Sequence, residues 1–161
     1  MEALLVLKEK LIPAFFGGLA IFLIAYLIKL SLGNALLFAS LGSSAVILSE
    51  FPDTPTAKLR VIILSYLMAA IIGYAFSFMS YVALAAGIAT FLTIALMAVT
   101  NNAHAPAGGI ALAFVFGSSS PTELVYVMLS VLILLIVLKS IIYLYKKELH
   151  IEKFHHEFLK K

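Results

Sequence analysis

Hydrophobic residues in this chain come in long, nearly continuous runs, and polar residues gather at the seams between them. Six apolar segments can be drawn: Leu11 to about Leu30, Ala35 to Ser49, Leu59 to about Met79, Tyr81 to about Thr100, Ala107 to Phe116, and Pro121 to about Tyr145. A helix rises about 1.5 Å per residue, so the first, third, fourth and sixth can cross a ~30 Å hydrocarbon layer. The second reaches only about 22 Å and the fifth less. The pattern predicts an all-α integral membrane protein: a polytopic bundle of four long transmembrane helices plus two short broken segments.

The order long, short, long, then long, short, long suggests an internal repeat. An offset of 66 positions sets GSSAVILSEFPDTPTAKLRV (Gly42 to Val61) over GGIALAFVFGSSSPTELVYV (Gly108 to Val127). Gly42 then meets Gly108, Ala45 meets Ala111, Pro55 meets Pro121, Thr56 meets Thr122 and Val61 meets Val127. Shared small apolar letters say little, but a glycine before a short run and a Pro-Thr pair opening a long one recur in both halves. The expectation is one transmembrane domain over residues 1–161, with repeat 1 at about 11–79, repeat 2 at about 81–145, and a tail at 146–161.

Composition fixes the solvent. Of 161 residues, 63% are hydrophobic and 12% charged, against about half and about a quarter in soluble domains. The excess apolar surface points to lipid. With no cysteine, disulfides and thiolate chemistry are excluded. The net charge of +3 is no nucleic-acid signature, because the basic residues cluster at the two ends. A cleaved signal peptide is not expected, since the first ten residues mix acid and base.

Charge also orients the repeat. Lys8 and Lys10 precede the first segment, and Lys146, Lys147, Lys153, Lys160 and Lys161 follow the last, so both termini are expected in the cytoplasm, at the plasma membrane. Lys58 and Arg60 sit in the central connector. If the short second segment crosses, they too are cytoplasmic, and the halves form a 3+3 inverted repeat. Re-entrant hairpins with four full spans are the alternative. The tail KKELHIEKFHHEFLKK places Ile151, Phe154 and Phe158 on one helical face, as expected of an amphipathic surface helix. Lys29 and Lys139 lie near segment ends, where long basic chains snorkel.

The chemistry concentrates in NNAHAPAGGIALAFVFG, Asn101 to Gly117. Pro106 suits a first helical turn, and Gly108 and Gly109 permit close approach of backbone or ligand. A helix opening there aims free N–H groups and partial positive charge at Asn101, Asn102 and His104. The repeat mate offers Ser40, Gly42, Ser43 and Ser44. Two short helices directing their N-termini at one midplane site would suit an anion. The competing reading is that Gly42, Ser43, Ser44, Gly17 and Gly18 only pack helices. Arg60 is either a topology anchor or an entrance charge. No Asp or Glu lies mid-segment, no HExxH occurs, and the tail histidines share no face. The sequence therefore argues for no cofactor, no metal site and no enzyme. On this reading His104→Ala costs transport and spares folding.

These motifs carry a resemblance. His104-Ala105-Pro106-Ala107-Gly108, with SLGSSAVILSEFP (Ser40 to Pro52) and PTAKLR (Pro55 to Arg60), resembles the HPP family of small integral membrane proteins. The likeness covers about Phe16 to Leu138. The family's first motif proline is Ala105 here, and its Gln-Pro before the arginine is Lys58-Leu59, with Arg60 retained. The CBS domains fused to some relatives are not in this sequence. Plant and cyanobacterial relatives are linked to nitrite transport, so the resemblance implies a transporter or channel for a small inorganic anion such as nitrite. The expected partners are that anion, membrane lipid and further copies of the chain. The expected contacts are His104, Asn101, Asn102, Pro106, Gly108, Gly109, Gly42, Ser43, Ser44 and Arg60. The rival function is a membrane scaffold whose glycines serve packing.

Overall fold

The computed structural model describes the backbone of residues 2–28, 35–117 and 120–158, and the side chains of residues 11–26, 36–117 and 120–144. Among these residues there are six α-helices and no strand: α1 (Glu2–Ile28), α2 (Ala35–Glu50), α3 (Leu59–Phe76), α4 (Val82–Val99), α5 (Gly108–Phe116) and α6 (Pro121–Phe158). Tight 3-10 turns at Pro55–Ala57 and Ala105–Ala107 lead into α3 and α5. The four inner helices match the apolar segments to within a few residues. The outer two overrun them: α1 starts at Glu2, and α6 continues to Phe158 rather than stopping near Tyr145. Glu and Lys are good helix formers and neither extension contains Gly or Pro, so the helix outlasts the apolar run. The side chains of Lys8, Lys10, Lys29, Lys146, Lys147 and Lys153, and those of Ile151, Phe154 and Phe158, lie outside the described residues, as do Lys160 and Lys161.

Three helical stretches are long and apolar enough to cross a membrane: Leu59–Phe76, Val82–Val99 and Pro121–Leu144. Leu11–Tyr26, Leu36–Glu50 and Ala105–Phe116 are shorter apolar pieces. The all-helical membrane class holds in this form, with three such spans where four long ones are expected. The apolar part of α1 is described only as far as Tyr26.

Successive helices reverse direction. On α2 and α1, Ala45 and Ser49 face Gly17, and the Ser49 hydroxyl donates to the Pro13 carbonyl at 3.2 Å. Pro13 sits inside α1, where it contributes no N–H to the ladder. Thr100 at the end of α4 reaches Met68 midway along α3, and Met97 and Ala98 of α4 share a cleft with Lys58 and Val61 at the start of α3. α5 runs parallel to α3, with Gly73 against Ala111 and Tyr74 edge-on to Phe114. It runs antiparallel to α2, with Gly109 against Ser40. One end of the bundle thus collects the end of α2, the start of α3, the end of α4 and the start of α5. We call it the His104 end.

Small side chains let these helices meet. Ala69, Ala70 and Gly73 on α3 and Ala85, Ala86 and Ala89 on α4 are buried, which suits helices held together by close van der Waals packing in lipid. The tightest point is Gly73, where an added Cβ would lie 2.6 Å from the Ala111 carbonyl oxygen. α1 packs on α2 and α6, and α4 packs on α5 and α3; α5 also touches α3 and α2, and α6 also touches α2 and α3. Large apolar side chains such as Phe15, Phe22, Phe91 and Ile136 remain exposed around the bundle. That outward face is expected of a protein solvated by hydrocarbon.

Candidate functional site

The His104 end holds a buried polar cluster made by α2, α3 and the connector from α4 to α5. Ser40 and Ser44 lie one turn apart on α2, so both hydroxyls point the same way. Ser65 and Tyr66 come from α3, and Asn102 and His104 from the connector; all six residues are buried. In so apolar a bundle each polar atom needs a partner, and the bonds can be traced in order.

His104 Nδ1 is 2.9 Å from the Thr56 carbonyl oxygen. A carbonyl only accepts, so Nδ1 carries the proton and donates it. His104 lies in the connector, outside the helices. Burial pushes its pKa below the ordinary value, and the bond to Thr56 opposes that push. The ring is neutral at pH 7, leaving Nε2 as an acceptor. The Ser44 hydroxyl, 2.8 Å away, donates to it. With that proton used, Ser44 Oγ can only accept from the Tyr66 hydroxyl at 2.7 Å, which shares its single proton with the Ser40 carbonyl oxygen at 3.1 Å. Ser40 donates to the Pro106 carbonyl at 2.5 Å, and its Oγ lies 3.0 Å from the same Tyr66 hydroxyl. The Tyr66 ring centre is 5.8 Å from that of His104. Nearby, Ser65 donates to the Asn102 carbonyl, and Asn102 Nδ2 donates to the Thr100 carbonyl at 2.8 Å.

The structure brings only part of the expected site together. His104, Ser44 and, through the backbone, Pro106 belong to one network, and Asn102 lies beside it. Gly109 is close to Ser40, with an ideal Cβ 3.4 Å from Ser40 Cβ. Gly108 has open space where its Cβ would be. Ser43 faces outward and bonds the Ala39 carbonyl on its own helix. Gly42 opens into a groove shared with Gly17 and Gly18, away from the network. Arg60 is exposed on α3 and no part of the cluster. Asn101 is exposed, with a positive φ of 53° that lets the chain turn from α4 into the connector.

α2 and α5 do not aim their N-termini at a common site. α2 begins at Ala35 and is continuous to Glu50, so Gly42, Ser43 and Ser44 lie in its interior, where the N–H groups are already bonded within the helix. Because α2 and α5 are antiparallel, their N-termini lie at opposite ends of the bundle. The hydroxyls of α2 meet the start of α5 from the side. The serine–histidine contact has the reach of a nucleophile and its base, but Ser44 and His104 have no exposed surface at all.

Sequence reasoning missed Thr56, Ser65 and Tyr66. The signal was present: Ser-Tyr is the one polar pair inside the apolar run of α3, and polar groups at such depth need partners. Which partners they find depends on how α3 rotates against α2.

Outside the network, against the wall that Thr56 and Ala103 form, a cleft of ≈ 350 Å³ opens between the start of α3 and the end of α4. Lys58 and Asn101 line it. At the opposite end a much smaller hollow of ≈ 20 Å³ is lined by Leu37, Phe114, Glu123, Tyr126 and Val127. Among the described residues no group of histidine and acidic side chains could hold a metal ion.

An all-helical bundle with an apolar outer face, three membrane-length spans and a satisfied polar cluster inside defines a polytopic integral membrane protein. Within that class the chain belongs to the HPP family: the family model described as "HPP, transmembrane region" matches residues 4–150. The match takes in both motif blocks, Ser40 to Pro52 and His104 to Gly108. No curated protein and no solved structure matches the chain.

Proposed function

We propose that the protein is a transporter or channel for a small inorganic anion, with nitrite the first candidate, working as a homo-oligomer in the plasma membrane with both termini in the cytoplasm. The observation that carries this reading is the polar concentration at one end of an otherwise apolar bundle: the buried hydroxyl–imidazole network with a basic cleft against its wall. Membership of the HPP family agrees with a transporter-like protein. No covalent step is assigned to Ser44 or His104.

The reading includes the 3+3 inverted repeat, and three observations support it. Exchanging α1 with α4, α2 with α5 and α3 with α6 maps the set of packed helix pairs onto itself. Ser40 and Pro106, which are 66 positions apart, touch each other at the crossing of α2 and α5, as repeat mates do on a two-fold axis. The clefts at the two ends also share mated positions, Val61 with Val127 and Ala103 with Leu37. Such a plan suits access from both sides of a membrane.

The scaffold reading draws on the completeness of the network: both His104 ring nitrogens are bonded within the protein. Flux separates the two. Purified protein in liposomes should carry nitrite above the rate of empty liposomes. Flux at the empty-liposome rate for nitrite, nitrate and chloride alike would leave the scaffold.

A further inference from the structure

The neutral His104 ring offers an anion nothing in this conformation, since its one N–H is bound to Thr56 and it is sealed from solvent. First contact must be made elsewhere, and the cleft between the start of α3 and the end of α4 has the required chemistry. Its walls include Thr56, Lys58, Val61, Met97, Asn101 and Ala103. A volume of ≈ 350 Å³ is on the order of ten water molecules' share of the liquid, which is room for a small anion with part of its hydration shell. Lys58 supplies the only formal charge among the lining residues and Asn101 a carboxamide; both are exposed and no carboxylate shares the wall.

The charge is particular to this end. Under the 66-position offset Lys58 corresponds to Leu124, and the mated hollow at the far end is lined by Glu123. Packing therefore does not require a cation at this position of the fold, because its counterpart manages with leucine. The cleft also adjoins the buried network through its wall. Thr56 faces the cleft, and its carbonyl is held by the His104 imidazole.

We propose that this cleft is a binding site for a small monovalent anion, with the Lys58 ammonium as its charge partner and Asn101 as a hydrogen-bond donor. His104 acts behind it as a positioning residue that fixes Thr56. The inference deepens the transport reading and rests on it for the identity of the anion, but binding can be tested without transport.

Two measurements are needed on wild type, Lys58→Gln and Lys58→Arg. The first is the rise in unfolding temperature of the purified protein with sodium nitrite, against sodium gluconate at equal ionic strength. The second is the half-saturation and maximal rate of nitrite flux in liposomes. Nitrite should stabilise the wild type, and Lys58→Gln should raise the half-saturating concentration about tenfold in both assays, the size expected for one ammonium–anion contact in a half-open cleft. Lys58→Arg should stay near wild type, and Lys58→Gln should keep the maximal rate. A Gln variant that responds to nitrite as the wild type does overturns the site. So does a wild type that neither nitrite nor chloride stabilises. Lys58-dependent stabilisation without flux keeps the site and removes the transport reading. For His104→Asn the expected change is in maximal rate with half-saturation little altered; a tenfold weaker half-saturation there would place the imidazole in direct contact with the anion.

Discussion

Gly73 and Gly108 permit a matched test of what the glycines do. Both are helical, so alanine introduces no backbone strain at either. At Gly73 the new methyl would lie 2.6 Å from the Ala111 carbonyl oxygen and 2.7 Å from its Cα. Ordinary van der Waals contact begins near 3.4 Å, so α3 and α5 must separate by most of an ångström along a contact that also carries the Tyr74–Phe114 ring pair. Overpacking of this kind costs about 1–3 kcal/mol. At roughly 2–4 °C per kcal/mol for a chain of this size, Gly73→Ala should lower the unfolding temperature by roughly 2–12 °C. At Gly108 an added Cβ meets nothing within 4 Å, and the gain in helix propensity is about 0.5–1 kcal/mol. Gly108→Ala should therefore be neutral or slightly stabilising. The assay is thermal unfolding of each purified variant in the same detergent, followed by tyrosine near-ultraviolet circular dichroism. A Gly73→Ala variant as stable as wild type, or a Gly108→Ala variant that falls by more, would refute the packing assigned to α3 and α5.

The remaining predictions concern buried polar groups. The expectation that His104→Ala spares folding does not survive the network: the variant strands the Ser44 hydroxyl and the Thr56 carbonyl, so it should cost about 2–4 kcal/mol of stability. Denaturant titration should show His104→Asn (which can still donate to Thr56) and His104→Gln (which can still accept from Ser44) each recovering roughly 1 kcal/mol. Equal losses in all three would argue against the traced network. Because the folded-state pKa of His104 is lowered, the unfolded chain binds more protons in the window just below its ordinary pKa of about 6.5. Stability from this group is therefore complete above that pH and falls as pH drops toward the folded-state value. The slope of stability against pH in that window should flatten in His104→Gln, and an unchanged slope would assign it to other groups. Thr93 Oγ1 is buried with no hydrogen-bond partner, so Thr93→Val should leave stability unchanged or raise it by about 1 kcal/mol; a clear loss on thermal unfolding would mean that the hydroxyl has an unrecognised partner.

The membrane class, the six helices and their inner boundaries were legible in the sequence because they depend on local quantities. A run of apolar residues buries itself in lipid wherever the rest of the chain lies, and Pro106 or Pro121 marks a helix start through its own ring. His104 stood out because an imidazole near membrane depth must be satisfied by something. Its partners were not legible. That Ser44 rather than Ser43 turns inward, that Tyr66 closes the network and that Thr56 receives the imidazole N–H all follow from the rotation and direction of α2 and α3 against α5. Those are set by where helices approach closely, above all where Gly73 of α3 meets Ala111 of α5. The same packing decides the glycines: Gly73 looks ordinary in sequence yet has no room for a methyl, while Gly108, inside the most conspicuous motif, has open space beside it. Local chemistry chose the elements and nominated the histidine, and only the antiparallel fit of α2 beside α5 decided what that histidine holds.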